Sequence, residues 1–341
     1  VDPVTALNRI AYLLEREQAP TYRVRAFRTG AAVVAALDPT ELRQRLRAGT
    51  LTALPGIGPV TAAVVQQAAA DQTPDYLAKL EDQAPRRLPA AAERLCRALR
   101  GDCHTHSTWS DGGSPIDEMA LAARDLGHEW MVLTDHSPRL RVARGLEPDR
   151  LREQLDVVAD LNPRLRPFRL LTGIECDILE DGSLDQDPEL LDRLDVVVAS
   201  AHSKLAMEPA AMTRRLVRAV RDPLVDVLGH CTGRLVGGRG RKPSRFDADA
   251  VFAACREAGT AVEVNCRPER LDPPRDLLRR AVDAGVLFAI DTDAHAPGQL
   301  EWQHHGCVRA AECGVPAERV INTWSAERLL EWAGARRAAR R

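Results

Sequence analysis

A chain of 341 residues is long enough to bury a sizeable core and divides comfortably into two domains. No apolar run reaches the roughly 20 residues that span a bilayer and no charged-then-apolar leader opens the sequence, so a cytoplasmic location without membrane partners is expected. Eight scattered cysteines, none in a C-x-x-C pair, speak against a disulfide framework or a thiolate zinc site.

The net charge of −2 conceals a split. Residues 1–100 carry 14 Lys+Arg against 10 Asp+Glu, and the rest carry 33 against 39. A basic small domain joined to an acidic large one suits a phosphate-backbone binder attached to a metal site.

The first stretch reads as helices. Leu7, Ile10, Ala11 and Leu14 form an i, i+3, i+4, i+7 stripe, and a second helical pattern runs from Tyr22 to Leu37. Asp38-Pro39-Thr40-Glu41 offers an N-cap, a proline at the first helical position and a capping-box glutamate; this third helix stops near Gly49. Leu54-Pro-Gly-Ile-Gly58 then leads into an alanine- and valine-rich helix ending near Ala70. The spacing predicts a small all-α domain over residues 1–83 and a linker over 84–100.

From residue 101 to 341 the pattern alternates short β-type runs with helical ones. The runs end at Cys103 and then comprise Met131–Leu133, Leu170–Thr172, Val196–Val198, Val225–Leu228, Ala261–Val264 and Leu287–Ile290. Seven strands each followed by a helix predict an α/β fold with a parallel sheet. At about 34 residues per unit, a closed or nearly closed (β/α)7 barrel is expected.

Nearly every one of those strands delivers a metal-ligand type at its carboxyl end. His104 and His106 follow the first, with Asp111 just beyond; His136 ends the second, Glu175 the third, His202 the fourth and His230 the fifth, and the last runs into Asp293 and His295. Six of nine histidines thus fall at the one face where parallel α/β folds build active sites. A mixed nitrogen and oxygen set suits manganese, zinc or iron(II) better than calcium or magnesium. More than one divalent ion per chain is expected, manganese foremost. Such ions activate water and neutralise phosphoryl oxygens, so no protein nucleophile is required.

At these residues the chain resembles the PHP (polymerase and histidinol phosphatase) superfamily. The resemblance rests on His104-Thr-His106, Ser110-Asp-Gly112, Thr134-Asp-His-Ser137, Gly173-Ile-Glu175, Ala201-His-Ser203, Gly229-His230 and Asp291-Thr-Asp-Ala-His295. It implies a distorted (β/α)7 PHP barrel binding up to three metals, with all nine ligand positions filled. Asp135 through Ala143, Asp181 through Asp185, Asn265 through Asp272 and Asn322-Thr-Trp324 resemble more closely the PHP domain of bacterial family-X DNA polymerases. Tyr22 through Arg28 and Leu54 through Gly58 resemble that family's opening helix-hairpin-helix domain. The palm-bearing polymerase core that separates these regions in that family has no room here, so polymerase activity is not expected. Val60 and Val64 stand where some members carry a lyase lysine, so lyase activity is not expected either.

The hairpin glycines Gly56 and Gly58, with Arg23, Arg25 and Arg28, are the expected contacts to DNA, made through the phosphate backbone without sequence preference. A tight turn and a solvated helix face are the alternative. Arg144, Arg234, Arg267 and Arg270 are candidates for holding substrate phosphates, and the Gly237–Lys242 segment either covers a polynucleotide or forms a surface loop. The expected activity is DNA end processing by a metal-dependent phosphoesterase: a 3′–5′ exonuclease or 3′-phosphatase, with abasic-site nicking as an extension. The alternative is a small-molecule phosphatase of the histidinol-phosphate type. No protein partner can be named from the sequence.

Overall fold

A computed structural model describes residues 1–82, 87–237 and 240–338. The chain forms two compact units, Val1–Arg87 and Leu88–Arg341. Gln83 to Arg86, in the expected linker, and Gly238 and Arg239 of the glycine- and arginine-rich segment lie outside the described residues.

The first unit is all helical, with helices Pro3–Arg16, Thr21–Ala36, Pro39–Ala48, Pro59–Ala69 and Asp75–Glu81. The Asp2 side chain accepts from the Thr5 amide at 2.8 Å, ahead of a proline at the first helical position. Asp38 accepts from the Thr40 amide at 2.7 Å, while Glu41 pairs forward with Arg45. Gly49 ends the third helix in the left-handed conformation. The stripe Leu7, Ile10, Ala11 and Leu14 is buried against Phe27, Val34, Ile57 and Val65. Each large apolar side chain so buried contributes about 1.5–3 kcal/mol.

The second unit carries seven strands: β1 (Gly101–Thr105), β2 (Trp130–Leu133), β3 (Arg169–Asp177), β4 (Val196–Ser200), β5 (Val227–Leu228), β6 (Ala261–Asn265) and β7 (Phe288–Asp291). They pair in sequence order and all in parallel. Helices follow the strands, giving a nearly closed seven-stranded parallel barrel. The seam between β7 and β1 is held by the bridge Thr105–Ala294 and by the Cys103 amide, which donates to Asp291 Oδ1 at 2.9 Å. Asn322 spans the same seam, donating from Nδ2 to Gly101 O and accepting from the Ile290 amide.

Two differences from the sequence reading have physical causes. Residues 88–100 are not simply linker: Ala90–Ala98 is a helix of the second unit. Ala92, Leu95, Cys96 and Leu99 repeat at i, i+3, i+4 and i+7, and that stripe packs into the barrel's outer core with Phe252 and Cys307. His104 lies inside β1 rather than after it, and β3 runs on through Glu175 to Asp177. Among the described residues, no helix is long and apolar enough to cross a membrane.

Candidate metal centre

All nine expected ligands converge at the carboxyl ends of the strands. Glu175, on β3 and 1% exposed, lies at the middle. Its Oε1 is 2.8 Å from His230 Nε2 and 3.1 Å from His202 Nε2. Its Oε2 is 2.8 Å from His136 Nδ1, 3.3 Å from His104 Nε2 and 3.6 Å from His106 Nε2. Asp111 Oδ1 stands 3.4 Å from His136 Nε2 and 3.2 Å from His295 Nε2, and Asp293 Oδ1 is 3.4 Å from His106 Nε2.

Three groups of donors cluster tightly enough to share an ion: His106, Asp111, His136 and His295; His104, His106 and Glu175; and His136, Glu175 and His202. Donors that each sit about 2.1 Å from one ion are about 3–3.5 Å apart, close to the separations found here. Among the described residues, buried nitrogens of His104, His106, His136, His202 and His230 make no hydrogen bond of good geometry, although those of His136 and His104 lie close to Glu175 Oε2. Leaving so many buried polar atoms unpaired is costly; divalent cations satisfy them together. The residues fit metal ions.

Charge coupling points the same way. Burial pushes the Glu175 carboxyl up, but His104, His202 and His136 outweigh it and hold it well below the usual range. Burial and the neighbouring His295 and His136 keep His106 well below an ordinary imidazole. His136 is raised to about 10: burial opposes protonation, and Glu175 and Asp111 overcome it.

The supporting residues are mostly ones that the sequence reading passed over. Glu263 on β6 is fully buried, with Oε1 2.6 Å from His104 Nδ1. Asp135 is not among the clustered donors; it accepts from Ser107 N (2.8 Å), Ser107 Oγ (2.6 Å), Ser110 Oγ (2.5 Å) and Gln154 Nε2 (2.7 Å), fixing the turn that presents Asp111. In that turn, a Cβ on Gly112 would stand 2.6 Å from the Ser107 backbone, so no side chain fits. Asp102 accepts from Thr292 Oγ1 at 2.5 Å and pins the turn after β7. Asp293 in that turn has a positive φ of 54°, a conformation non-glycine residues adopt only at a cost. Asn265 Nδ2 at 3.1 Å and Arg270 Nε at 3.1 Å hold its carboxylate. A charged residue inside an otherwise apolar buried strand was the available signal for Glu263.

The phosphate candidates separate. Arg267 is spread over Glu269, Asp293 and His295 Nδ1. Arg270 meets Asp293, and its buried Nη1 has no hydrogen-bond partner among the described residues. Arg144 donates to the Ser110 carbonyl, next to Asp111. Arg234 donates to the carbonyls of Arg270 and Leu271 and so braces that loop.

In the first unit, Gly56 has φ 90°. Arg25 lines an open groove with Tyr22, Thr29, Gly56, Ile57 and Gly58. Arg28 instead donates to Glu15 at 3.0 and 3.1 Å, and Arg23 to the Tyr76 hydroxyl. Of the three arginines, Arg25 is the one placed beside the hairpin glycines.

Residues 102–267 match the PHP domain family and residues 2–73 a helix-hairpin-helix domain family. Over 227 residues the chain is 39% identical to the DNA polymerase/3'-5' exonuclease PolX of Bacillus subtilis; the match covers 67% of this chain and 40% of that protein, so the chain spans well under half of that relative. A protein of Acetivibrio thermocellus named "Probable phosphatase" is 28% identical over 241 residues, 68% of this chain and 93% of its own length. The structure of a histidinol phosphate phosphatase from Lactococcus lactis superposes with a TM-score of 0.44 at 18% identity, covering 62% of this chain and 94% of that one. With both regions matched, the chain carries a PHP domain preceded by a helix-hairpin-helix domain.

Proposed function

We propose that the chain is a metal-dependent phosphoesterase that processes DNA ends. The observation that carries this reading is the convergence of six histidines, Asp111 and Asp293 around Glu175, with buried nitrogens left for cations. Divalent ions in such a site, manganese foremost, lower the pKa of water and neutralise the phosphoryl oxygens. His104, His106, Asp111, His136, Glu175, His202, His230, Asp293 and His295 hold the ions. Glu263 orients His104, and Asp135 sets the Asp111 turn. Arg270, whose buried Nη1 has no hydrogen-bond partner among the described residues, meets a substrate phosphate oxygen, and Arg267 stabilises Asp293.

The DNA part of the reading is supported by the helix-hairpin-helix match, by Arg25 beside Gly56 and Gly58, and by the likeness to a protein named as a 3'-5' exonuclease. The residues between the two matched regions, 74–101, leave no space for a polymerase core, so no polymerase activity is proposed. The test is cleavage of 3′-recessed duplex and single-stranded DNA with manganese, beside histidinol phosphate. Stepwise shortening of DNA that His104→Ala/His106→Ala abolishes and Arg25→Glu weakens supports the reading. Rapid phosphate release from histidinol phosphate with DNA left intact overturns it in favour of a small-molecule phosphatase.

A further inference from the structure

The segment that follows β2 leaves His136 and returns to it. The Ser137 amide donates to Glu175 O at 3.0 Å, and the Leu146 amide donates to His136 O at 2.7 Å. Between those anchors the chain makes a short 3-10 turn, Arg141–Ala143, and reverses at Arg144 with φ 58°. A Cβ on Gly145 would stand 1.8 Å from Ser137 O, so the two ends of the loop are pressed together. The Arg144 guanidinium donates to Ser110 O, and Arg150 donates to Arg144 O at 2.9 Å and to Trp109 O at 2.7 Å. The loop is therefore fixed against the turn that carries Asp111, beside the metal centre.

Its tip has an unusual composition. Val142 is 93% exposed, more than any other large apolar residue exposed among the described residues. It is flanked by the exposed Arg141 and by Arg139, whose half-exposed side chain lies 3.6 Å from Asp177 Oδ2. Arg141 makes no ion pair among the described residues. Lys204, four residues beyond β4, exposed and without an ion pair among the described residues, adds a further cation to the same end of the barrel. These cations sit on a domain whose overall balance is acidic.

A phosphomonoester of a small molecule offers one phosphate, which the metal centre and Arg270 accommodate. The exposed Arg141 and an apolar tip would then have no substrate group to contact. A polynucleotide end offers both missing partners: phosphates upstream of the reacting one, which guanidinium and ammonium groups contact without reading sequence, and the flat face of a base, against which an apolar side chain packs or wedges. We infer that the Arg139–Arg144 loop is a strand-end clamp. Val142 packs on a terminal base, and Arg139 and Arg141 hold the phosphates that follow. This rests on the phosphoesterase reading of the same centre and gives it a polynucleotide strand as substrate.

The test compares the full manganese-loaded chain with Arg141→Glu and Val142→Asp on two substrates, a short fluorescein-labelled single-stranded DNA and p-nitrophenyl phosphate. Fluorescence anisotropy of the same DNA with chelator-treated protein gives binding separately from turnover. Expected is a fall of about tenfold in kcat/KM for DNA relative to p-nitrophenyl phosphate, with a parallel loss of affinity in anisotropy. Equal losses on both substrates, or unchanged handling of DNA, overturn the clamp while leaving the phosphoesterase reading intact. If the parent chain turns over neither substrate, the phosphoesterase reading fails. Anisotropy then decides the clamp alone: weakened binding by the variants upholds it, and unchanged binding overturns it.

Discussion

Glu263 Oε1 stands 2.6 Å from His104 Nδ1, and the second oxygen of the same carboxylate accepts from the His230 amide at 2.5 Å. One buried side chain thus fixes two of the converging histidines. With Nδ1 facing a carboxylate, the proton of a neutral His104 is held at Nδ1 and the lone pair at Nε2 faces Glu175. Glu263→Gln keeps the shape but removes the charge. It is expected to weaken manganese or zinc affinity by about 10–100-fold, measured by metal titration and by the metal content of dialysed protein. Parent-like affinity in Glu263→Gln would show that His104 needs no such orientation.

Metal removal has a stability consequence of its own. An ion that binds only the folded chain stabilises it by about 2.7 kcal/mol at a hundredfold excess over its Kd. Chelator treatment is expected to lower Tm by several degrees, and manganese to restore it. In His104→Ala/His106→Ala, which removes donors from two of the three clusters, most of that restoring shift should vanish. A Tm indifferent to both chelator and manganese would count against ion binding at this centre.

The hairpin makes a separate prediction. Gly56 has φ 90°, and a Cβ there would stand 2.7 Å from Thr29 Cγ2, so Gly56→Val both strains the backbone and fills the groove floor. Arg25→Glu places a negative charge in the same groove without touching the core. Each should weaken DNA binding in anisotropy. The Arg25 variant should also flatten the dependence of log affinity on log salt by about one unit, because one phosphate contact is lost. Arg28→Ala should act mainly on stability, since its guanidinium holds the buried Glu15.

How far the sequence revealed this arrangement depended on which residues carried a pattern. The strands were legible because Val196–Val198 or Ala261–Val264 are short β-branched runs set between helical periods, and the ligands because His and Asp recur where those runs end. Glu263 was hidden within one of the runs, since alternation does not say that a strand's one acid points inward to a histidine. Asp135 read as part of a ligand motif, but its four hydrogen bonds go to Ser107, Ser110 and Gln154, contacts between segments far apart in sequence. The helix Ala90–Ala98 was masked by the prolines before it. Arg28 and Arg25 look equivalent in sequence; the buried Glu15, thirteen residues earlier, distinguishes them.

The terminal arginines were equally uninformative until folded, and they yield the sharpest stability test. Arg337 Nη2 donates to Asp226 Oδ2 at 2.6 Å, and Arg336 Nε lies 3.6 Å from Oδ1, all three side chains being buried. Truncating one partner of a buried ion pair leaves an uncompensated charge, so Arg337→Ala is expected to cost about 3–5 kcal/mol in urea unfolding. Burial lifts the Asp226 carboxyl to about 6 while Arg337 and Arg336 pull it back. Its folded pKa therefore lies above the ordinary 3.8. The sign follows: this group's contribution is fully present below about pH 4 and is lost as pH rises through about 6. Asp226→Asn removes that titration, so the stability of the parent minus that of the variant should grow as pH falls from 7 to 4. A difference that stays flat, or shrinks, over that window would show that the two arginines keep Asp226 ionised throughout and that burial does not dominate its titration.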